Sequence, residues 1–417
     1  MPYEVDVFKT WPTMSSWEEL KNWLTSEAGG LLRVVEPRES AYALIRYKKG
    51  VSNFNLAHVP WCRSVVVHKD SRMPVCVSPV KAEVITDSSV NDATVAEELI
   101  DGSMLNVFHA AGDESVIVST RGRLGADKSF YSGSPSFRSM LDEAMVSQGV
   151  STFANMLPSN TSSLHRFTST VLQHPANRIV KCIDTPSFAI VHQGWVTQDA
   201  SVFIEEDASE FNYVSSKDTD NSEIQPYNIE SVRAAKTVKD WVSTQAQSRG
   251  FGWQGLVLKD GKGRRWRQRS EVYETVRTLR GNELTSGERY ARLRKARVVD
   301  QYLAFYSEDK QTLYDLEGLL RNNTRQLLNF YVDVFRSRKT LYHELPWPYK
   351  HHVSVLHNYY KNVLRNNNVK VDFAEVVKYV NNLSMEDTVN MLKKHNLELK
   401  KSTDTVVPSS SEPITVV

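Results

Sequence analysis

The spacing of apolar residues changes near residue 283, and this change constrains the fold more than any single motif does. Before it, apolar residues come in short runs at 31–35, 42–47, 64–67, 75–77, 103–109, 115–120, 188–195, 201–205 and 255–258, separated by Gly, Pro, Asp and Asn. Runs of this length bounded by turn formers read as strands. After it, apolar residues recur at spacings of three and four over 313–336, 349–363, 371–383 and 385–394, the pattern of helices with one buried face. Pro346 and Pro348 interrupt that series, and Ser384 with Asp387 reads as the N-cap and first turn of the last helix. The expected class is α+β: a mostly antiparallel sheet core with flanking helices, then an all-α C-terminal domain.

Three helical stretches are expected in the first part. The segment 17–24 has Ser15 or Ser16 as its cap and Gly29-Gly30 as its stop. Segments 137–148 and 229–247 follow, the second with Ile229, Val232, Ala235, Val238 and Val242 as one core-facing stripe. The acidic, Ser-rich segment 207–223 reads as a surface loop, and 401–417, rich in Ser, Thr and Pro, as disordered. The expected organisation is an N-terminal α+β module at 1–95, a core at 96–282, a helical domain at 283–396 and a tail at 397–417. Trp347, Tyr349, Tyr359 and Tyr360 are candidate protein-contact aromatics of the helical domain.

The chain has 51 Lys and Arg against 49 Asp and Glu, so no affinity for polyanions follows from net charge. A nucleic-acid footprint must then be a local patch. Three cysteines, Cys62, Cys76 and Cys182, fit no zinc spacing, and so sparse an odd count points to a reducing compartment. No apolar run is long enough to span a bilayer, and residues 1–6 lack the basic and apolar regions of a signal peptide. The expectation is an intracellular, soluble protein without a membrane partner.

Five strings carry chemistry. Asp101-Gly102-Ser103 forms a tight turn by its composition, and Glu98-Leu99-Ile100 leads into it. Arg121-Gly122 ends a strand-like run. Pro175-Ala176-Asn177-Arg178-Ile179-Val180 is the most specific string, and Gln254-Gly255-Leu256-Val257 is the fourth. Arg267-Gln268-Arg269-Ser270-Glu271-Val272-Tyr273 closes the series inside the densest basic stretch, which adds Lys259, Lys262, Arg264 and Arg265 around Trp266. Arginines interleaved with an aromatic suit phosphate or single-stranded RNA.

In this order the strings resemble those of the RNA ligases typified by the T-even phage RNA ligase 1, within the covalent nucleotidyltransferases, and the helical part, through Arg325-Gln326-Leu327-Leu328 and Tyr379-Val380-Asn381-Asn382-Leu383, resembles C-terminal extensions of RNA-ligase-like proteins of large DNA viruses. The resemblance covers roughly residues 30–275 and implies a nucleotidyltransferase-type sheet core. It places the family's AMP-carrying lysine at Leu99, which has no nucleophile. Where the family has an acid ahead of Pro175, this chain has Thr170-Val171-Leu172-Gln173, and its Glu-Gly becomes Gln254-Gly255. The two lysines of its last motif are Arg267 and Arg269.

The resemblance thus implies a ligase scaffold that binds RNA or nucleotide with altered catalytic positions. Leu99, Asp101, Gly102 and Gln254 stand where catalysis would occur, and no catalytic residue or metal ligand is assigned. The binding residues it implies are Arg121, Gly122, Asn177, Arg178, Gln254, Lys259, Arg265, Arg267 and Arg269. ATP and magnesium are its implied cofactors, RNA its implied partner, and host cytoplasm or virion its implied location. Two alternatives stand beside it. One is an active ATP-dependent RNA ligase using a displaced lysine, Lys81 or Lys128. The other is a structural or virion-associated scaffold that makes protein contacts through its helical domain.

Overall fold

Three sheets and their covering helices make up the first of two compact units, residues Met1–Thr278, and helices are the regular elements among the described residues of the second, from Leu279 onward. The structure is a computed structural model and describes residues 2–113, 115–158, 164–207, 211 and 224–392. The fold is α+β. The N-terminal segment 1–95 lies in the same unit as the core segment that follows it.

The largest sheet has seven strands in the order β1 (Tyr3–Val5), β13 (Val202–Glu205), β12 (Ser187–Val196), β11 (His165–Gln173), β8 (Ser103–His109), β9 (Ile117–Thr120) and β10 (Arg123–Leu124), all pairs antiparallel. A four-stranded antiparallel sheet runs β2 (Arg33–Val35), β3 (Tyr42–Arg46), β4 (Val65–His68) and β5 (Met73–Val77). The third sheet runs β14 (Pro226–Tyr227), β7 (Val95–Glu98), β15 (Gly255–Lys259), β16 (Arg265–Arg269) and β6 (Glu83–Val84), with only β16–β6 parallel.

Alternation along β8 shows how the layers form. Leu105 and Val107 pack with Met140, Leu141, Ala144 and Met145 of α3 (Phe137–Gln148), while Phe108 joins the core that the four-stranded sheet covers. Asn106 shares the Phe108 face and is buried there. Its Nδ2 donates to Ser64 Oγ and Ser78 Oγ, both at 3.3 Å, and its Oδ1 accepts from Ser169 Oγ at 2.8 Å. His192 extends the network, with Nε2 3.0 Å from Ser169 Oγ and 2.8 Å from the Val77 carbonyl. This hydrogen-bonded polar line pins two otherwise apolar sheet faces in one register.

The third sheet is covered on one face by α4 (Ile229–Arg233) and α5 (Val238–Arg249), whose Val232, Trp241, Val242 and Ala246 pack on Ala96, Leu256, Leu258 and Trp266. The stripe read as one helix over 229–247 is therefore two. The Thr237 side chain accepts from Asp240 N and starts a new helix, since an N-cap residue leaves helical dihedrals. Two strands carried no alternation signal in the sequence. β11 is polar on one face because Thr168 and Thr170 are buried against neighbours, and β7 ends in Glu97-Glu98.

Shorter helices complete this unit: α1 (Trp17–Thr25), capped by Ser16, and α2 (Asp87–Asp92), capped by Thr86. α6 (Glu271–Arg280) follows β16. Cys62 and Cys76 are fully buried and their thiols are pushed up by burial, while Cys182 is exposed.

In the second unit, α7 (Ser286–Ala296) starts at a capping box of Thr285 and Glu288 and ends at Arg297 in the left-handed region, φ 59°. α8 (Val299–Leu303) leads to α9 (Lys310–Phe335), whose Leu313, Leu320, Leu327 and Tyr331 are buried. α7, α10 (Trp347–Tyr359) and α11 (Phe373–Asn381) pack against α9. A last helix, α12, is described over 385–392, with Asp387 N donating to Ser384 Oγ at 3.0 Å. Of the four aromatics read as surface contacts, Trp347 is 76 % exposed, Tyr359 is exposed and Tyr360 is half-buried. Tyr349 is instead buried, and its hydroxyl donates to Gln326 Oε1 at 2.7 Å. No helix among the described residues is long and apolar enough to cross a membrane. The expected tail at 397–417 and nearly all of the expected loop at 207–223 lie outside the described residues.

Candidate arginine-lined cavity

The Asp101-Gly102-Ser103 string, expected to be a tight turn, is instead a bend at Gly102 that runs straight into β8, and it sits on the wall of a cavity of about 710 Å³ in the first unit. Leu99, Ile100, Asp101 and Gly102 line it where the chain leaves β7 of the third sheet and enters β8 of the largest. Leu99 is half-buried, and its N–H donates to the Gly255 carbonyl at 2.9 Å, which fastens it to β15. Gly102 is required by close approach, since a Cβ there would lie 2.4 Å from the Leu172 carbonyl oxygen of β11.

Most of the charged lining is cationic. On β16, Trp266 turns into the helix-covered core while Arg265, Arg267 and Arg269 line the cavity, as two-residue alternation requires. Arg63, Lys81, Lys49, Arg121 and Arg277 also line it, so eight cationic side chains meet three carboxylates, Glu97, Glu98 and Asp101. Some of the cations are balanced: Arg269 and Arg277 share Glu274 at 2.6 and 3.7 Å, and Arg265 lies 3.5 Å from Glu206. Lys81 stacks on the Phe54 ring, 4.3 Å from its centroid. Among the described residues, no carboxylate forms an ion pair with Lys49, Arg63, Lys81, Arg121 or Arg267.

The excess charge is felt within the wall. Burial pulls Arg63 down to about 10, and Arg265, Arg121 and Arg267 pull the same way against Tyr47. Burial also lowers Arg267, reinforced by Arg269 and Arg277. Each guanidinium stays charged near neutral pH, so an entering anion relieves repulsion already present.

The carboxylates are differently placed. Asp101 is buried and fully engaged: Oδ1 accepts from the Tyr273 hydroxyl at 2.7 Å, and Oδ2 from Val180 N at 2.9 Å and Lys181 N at 2.8 Å. Burial first and then Asp101 push the Tyr273 hydroxyl up, so it stays a donor. Glu97 pairs with buried Lys259 at 2.6 Å. Glu98 is half-buried, and burial raises its carboxyl against the pull of Lys181 and Arg249. In the orientation that satisfies both neighbours, the Gln254 amide donates to the Ile100 carbonyl at 2.7 Å and accepts from Arg269 Nε at 3.0 Å.

The implied cofactors differ in fit. A cavity of this size with guanidinium groups on one wall fits a nucleotide polyphosphate. The magnesium is poorly provided for. Beside phosphates such an ion is held by one or two carboxylates, and of the three on the lining Asp101 has both oxygens filled and Glu97 is paired with Lys259, which leaves Glu98; position 254 is a neutral amide, and Val171 stands on the wall without an acid. No group of three or more His, Cys, Asp or Glu that could hold a metal occurs among the described residues.

Of the residues named from sequence, Leu99, Asp101, Gly102, Arg121, Gln254, Arg265, Arg267 and Arg269 meet at this cavity. Four do not line it. Asn177 Nδ2 donates to Ser103 Oγ at 2.8 Å, and Arg178 Nε donates to the Val180 carbonyl at 3.2 Å. The string around them is thus a bracket that presents Val180 and Lys181 to Asp101. Gly122 lies beside the Arg46 guanidinium, and Lys259, only 2 % exposed, is taken up by Glu97. Lys128 is likewise not on the wall, whereas Lys81 is. Lys49, Arg63 and Arg277 join the site without a sequence signal, because strand pairing and helix placement bring them there. No family model matches the chain, and no curated protein matches it.

Proposed function

We propose that this protein is an RNA-ligase-like nucleotide- or RNA-binding protein that does not form a lysine adenylate. The observation that supports it is the cavity wall: eight cations face three carboxylates, and the side chain at the turn is Leu99 rather than an amine. Arg267 and Arg269 suit bidentate phosphate contacts, and neither can act as a nucleophile because arginine stays protonated. Asp101, Asn177 and Tyr273 serve here to hold the turn, the bracket and the last motif together.

The test combines two readouts. Purified protein incubated with labelled ATP and magnesium or manganese should give no AMP band on a denaturing gel. Labelled single-stranded RNA and labelled ATP should bind, and Arg121→Ala with Arg267→Ala should weaken binding by at least about tenfold, the loss expected for two charge-assisted phosphate contacts. Binding unchanged in that variant sinks the proposal. A second reading, an active ligase, rests on Lys81, which lines the same cavity. An AMP band that Lys81→Ala abolishes would establish it.

A further inference from the structure

We infer that the cavity takes a terminal polyphosphate free of metal, with arginines supplying the countercharge that a magnesium ion would otherwise supply. This rests on the nucleotide-binding reading above and narrows its ligand. The first argument is the donor set. Asp101 has both oxygens filled by Tyr273, Val180 and Lys181, and Glu97 is held 2.6 Å from Lys259. Glu98 remains as a single half-buried carboxylate, the minimum by which a protein holds magnesium beside phosphates, and the cations of the lining outnumber it.

The second argument is the cationic lining. Arg63 and Arg267 line the cavity without a carboxylate partner among the described residues, and both are destabilised as cations first by burial and then by their arginine neighbours. Their repulsion falls most when the ligand carries its full negative charge. Magnesium on the polyphosphate removes part of that charge and adds a water shell that the guanidinium groups must displace. Metal and wall therefore compete for the same oxygens. A triphosphate has the charge and reach to touch several of the wall arginines at once, and two sources carry that group: a free nucleoside triphosphate and a triphosphorylated RNA 5′ end.

The experiment titrates the full chain by calorimetry with ATP, with a short 5′-triphosphate RNA and with the same RNA bearing a 5′-hydroxyl. Each titration is run in EDTA and again in excess magnesium. The expected result is binding of ATP, of the triphosphate RNA or of both in EDTA, weakened by at least about tenfold in saturating magnesium. The 5′-hydroxyl RNA should bind no better than about tenfold below the triphosphate RNA. The arms separate the sources: ATP binding alone assigns a free nucleotide, and binding of the RNA alone assigns an RNA end. Arg121→Ala with Arg267→Ala, checked for intact secondary structure by circular dichroism, should lose the EDTA binding. Binding that requires magnesium overturns the metal-free inference and leaves the binding reading standing. Equal binding of the two RNAs overturns the terminal polyphosphate. No binding of any probe overturns both.

Discussion

The Tyr273 hydroxyl donates to Asp101 Oδ1 at 2.7 Å, a bond that joins residues 172 positions apart and ties α6 to the turn between two sheets. The other Asp101 oxygen takes the N–H groups of Val180 and Lys181. One carboxylate thus ties its own segment to two distant ones at the cavity. At this position the charge serves architecture, and its donors are the reason it is not free for a metal.

Tyr273→Phe should destabilise the first unit by about 1–3 kcal/mol, because it leaves a buried carboxylate oxygen without its donor. Asp101→Ala should do more harm, since it orphans two backbone N–H groups as well. Urea unfolding followed by circular dichroism checks both, and a Tyr273→Phe protein as stable as wild type would show that the bond contributes nothing.

Gly255→Ala should destabilise by more than about 1 kcal/mol. Gly255 has φ +138°, and a Cβ there would lie 2.2 Å from the Gln268 carbonyl oxygen. The clash falls on the hairpin that carries Arg267 and Arg269, so ligand binding should weaken together with stability. Unchanged unfolding and unchanged ATP affinity would contradict this.

Restoring the amine alone should not restore adenylylation. Leu99→Lys puts a lysine beside a cationic wall, but Asp101 stays engaged and Gln254 stays neutral. Gln254→Glu should in turn cost about 1–3 kcal/mol, because the nitrogen that donates to the Ile100 carbonyl becomes an acceptor facing an acceptor. A labelled AMP adduct on Leu99→Lys would show that the carboxylates rearrange when ligand enters.

Stability should fall on acidification through His192. Burial holds this imidazole well below its usual pKa, and Arg265 reinforces the effect. The folded state thus binds its proton later than the unfolded chain does. The contribution is complete above the unfolded value of about 6.5 and declines as pH falls through it, by up to about 1.4 kcal/mol per pH unit. His192→Gln should flatten that slope between pH 7.5 and pH 5 in urea titrations, because glutamine can still donate to the Val77 carbonyl without titrating. His58, His165 and His357 are lowered by burial too, so the difference between variant and wild type is the quantity that isolates His192.

The legible parts of the sequence were those fixed by neighbours in the chain. The α3 helix, the caps at Ser16 and Ser384, and the β8 and β15 strands carry local signals, and the structure places them there. The break at Thr237 was masked by an apolar stripe that runs on in phase through both helices. β11 was hidden because its buried residues are partly polar, and only long-range partners explain their burial: Asn106 and His192 for Ser169, the Met156 carbonyl for Thr168. The same limit applied at the site. Lys259 belongs to the basic stretch by sequence, yet pairing of β15 with β7 sets Glu97 against it. Arg63 gave no signal at all, since nothing local to it predicts the arginines it faces.

Cys182 gives the unaltered protein a single labelling handle. The other two thiols are sealed in the core, while this one is open to solvent and follows Lys181, whose N–H grips Asp101 on the cavity wall. A maleimide dye should couple here alone, with no engineered cysteine, next to the loop that braces the turn at Leu99. Filling of the arginine wall could then be followed as a fluorescence change in the native chain.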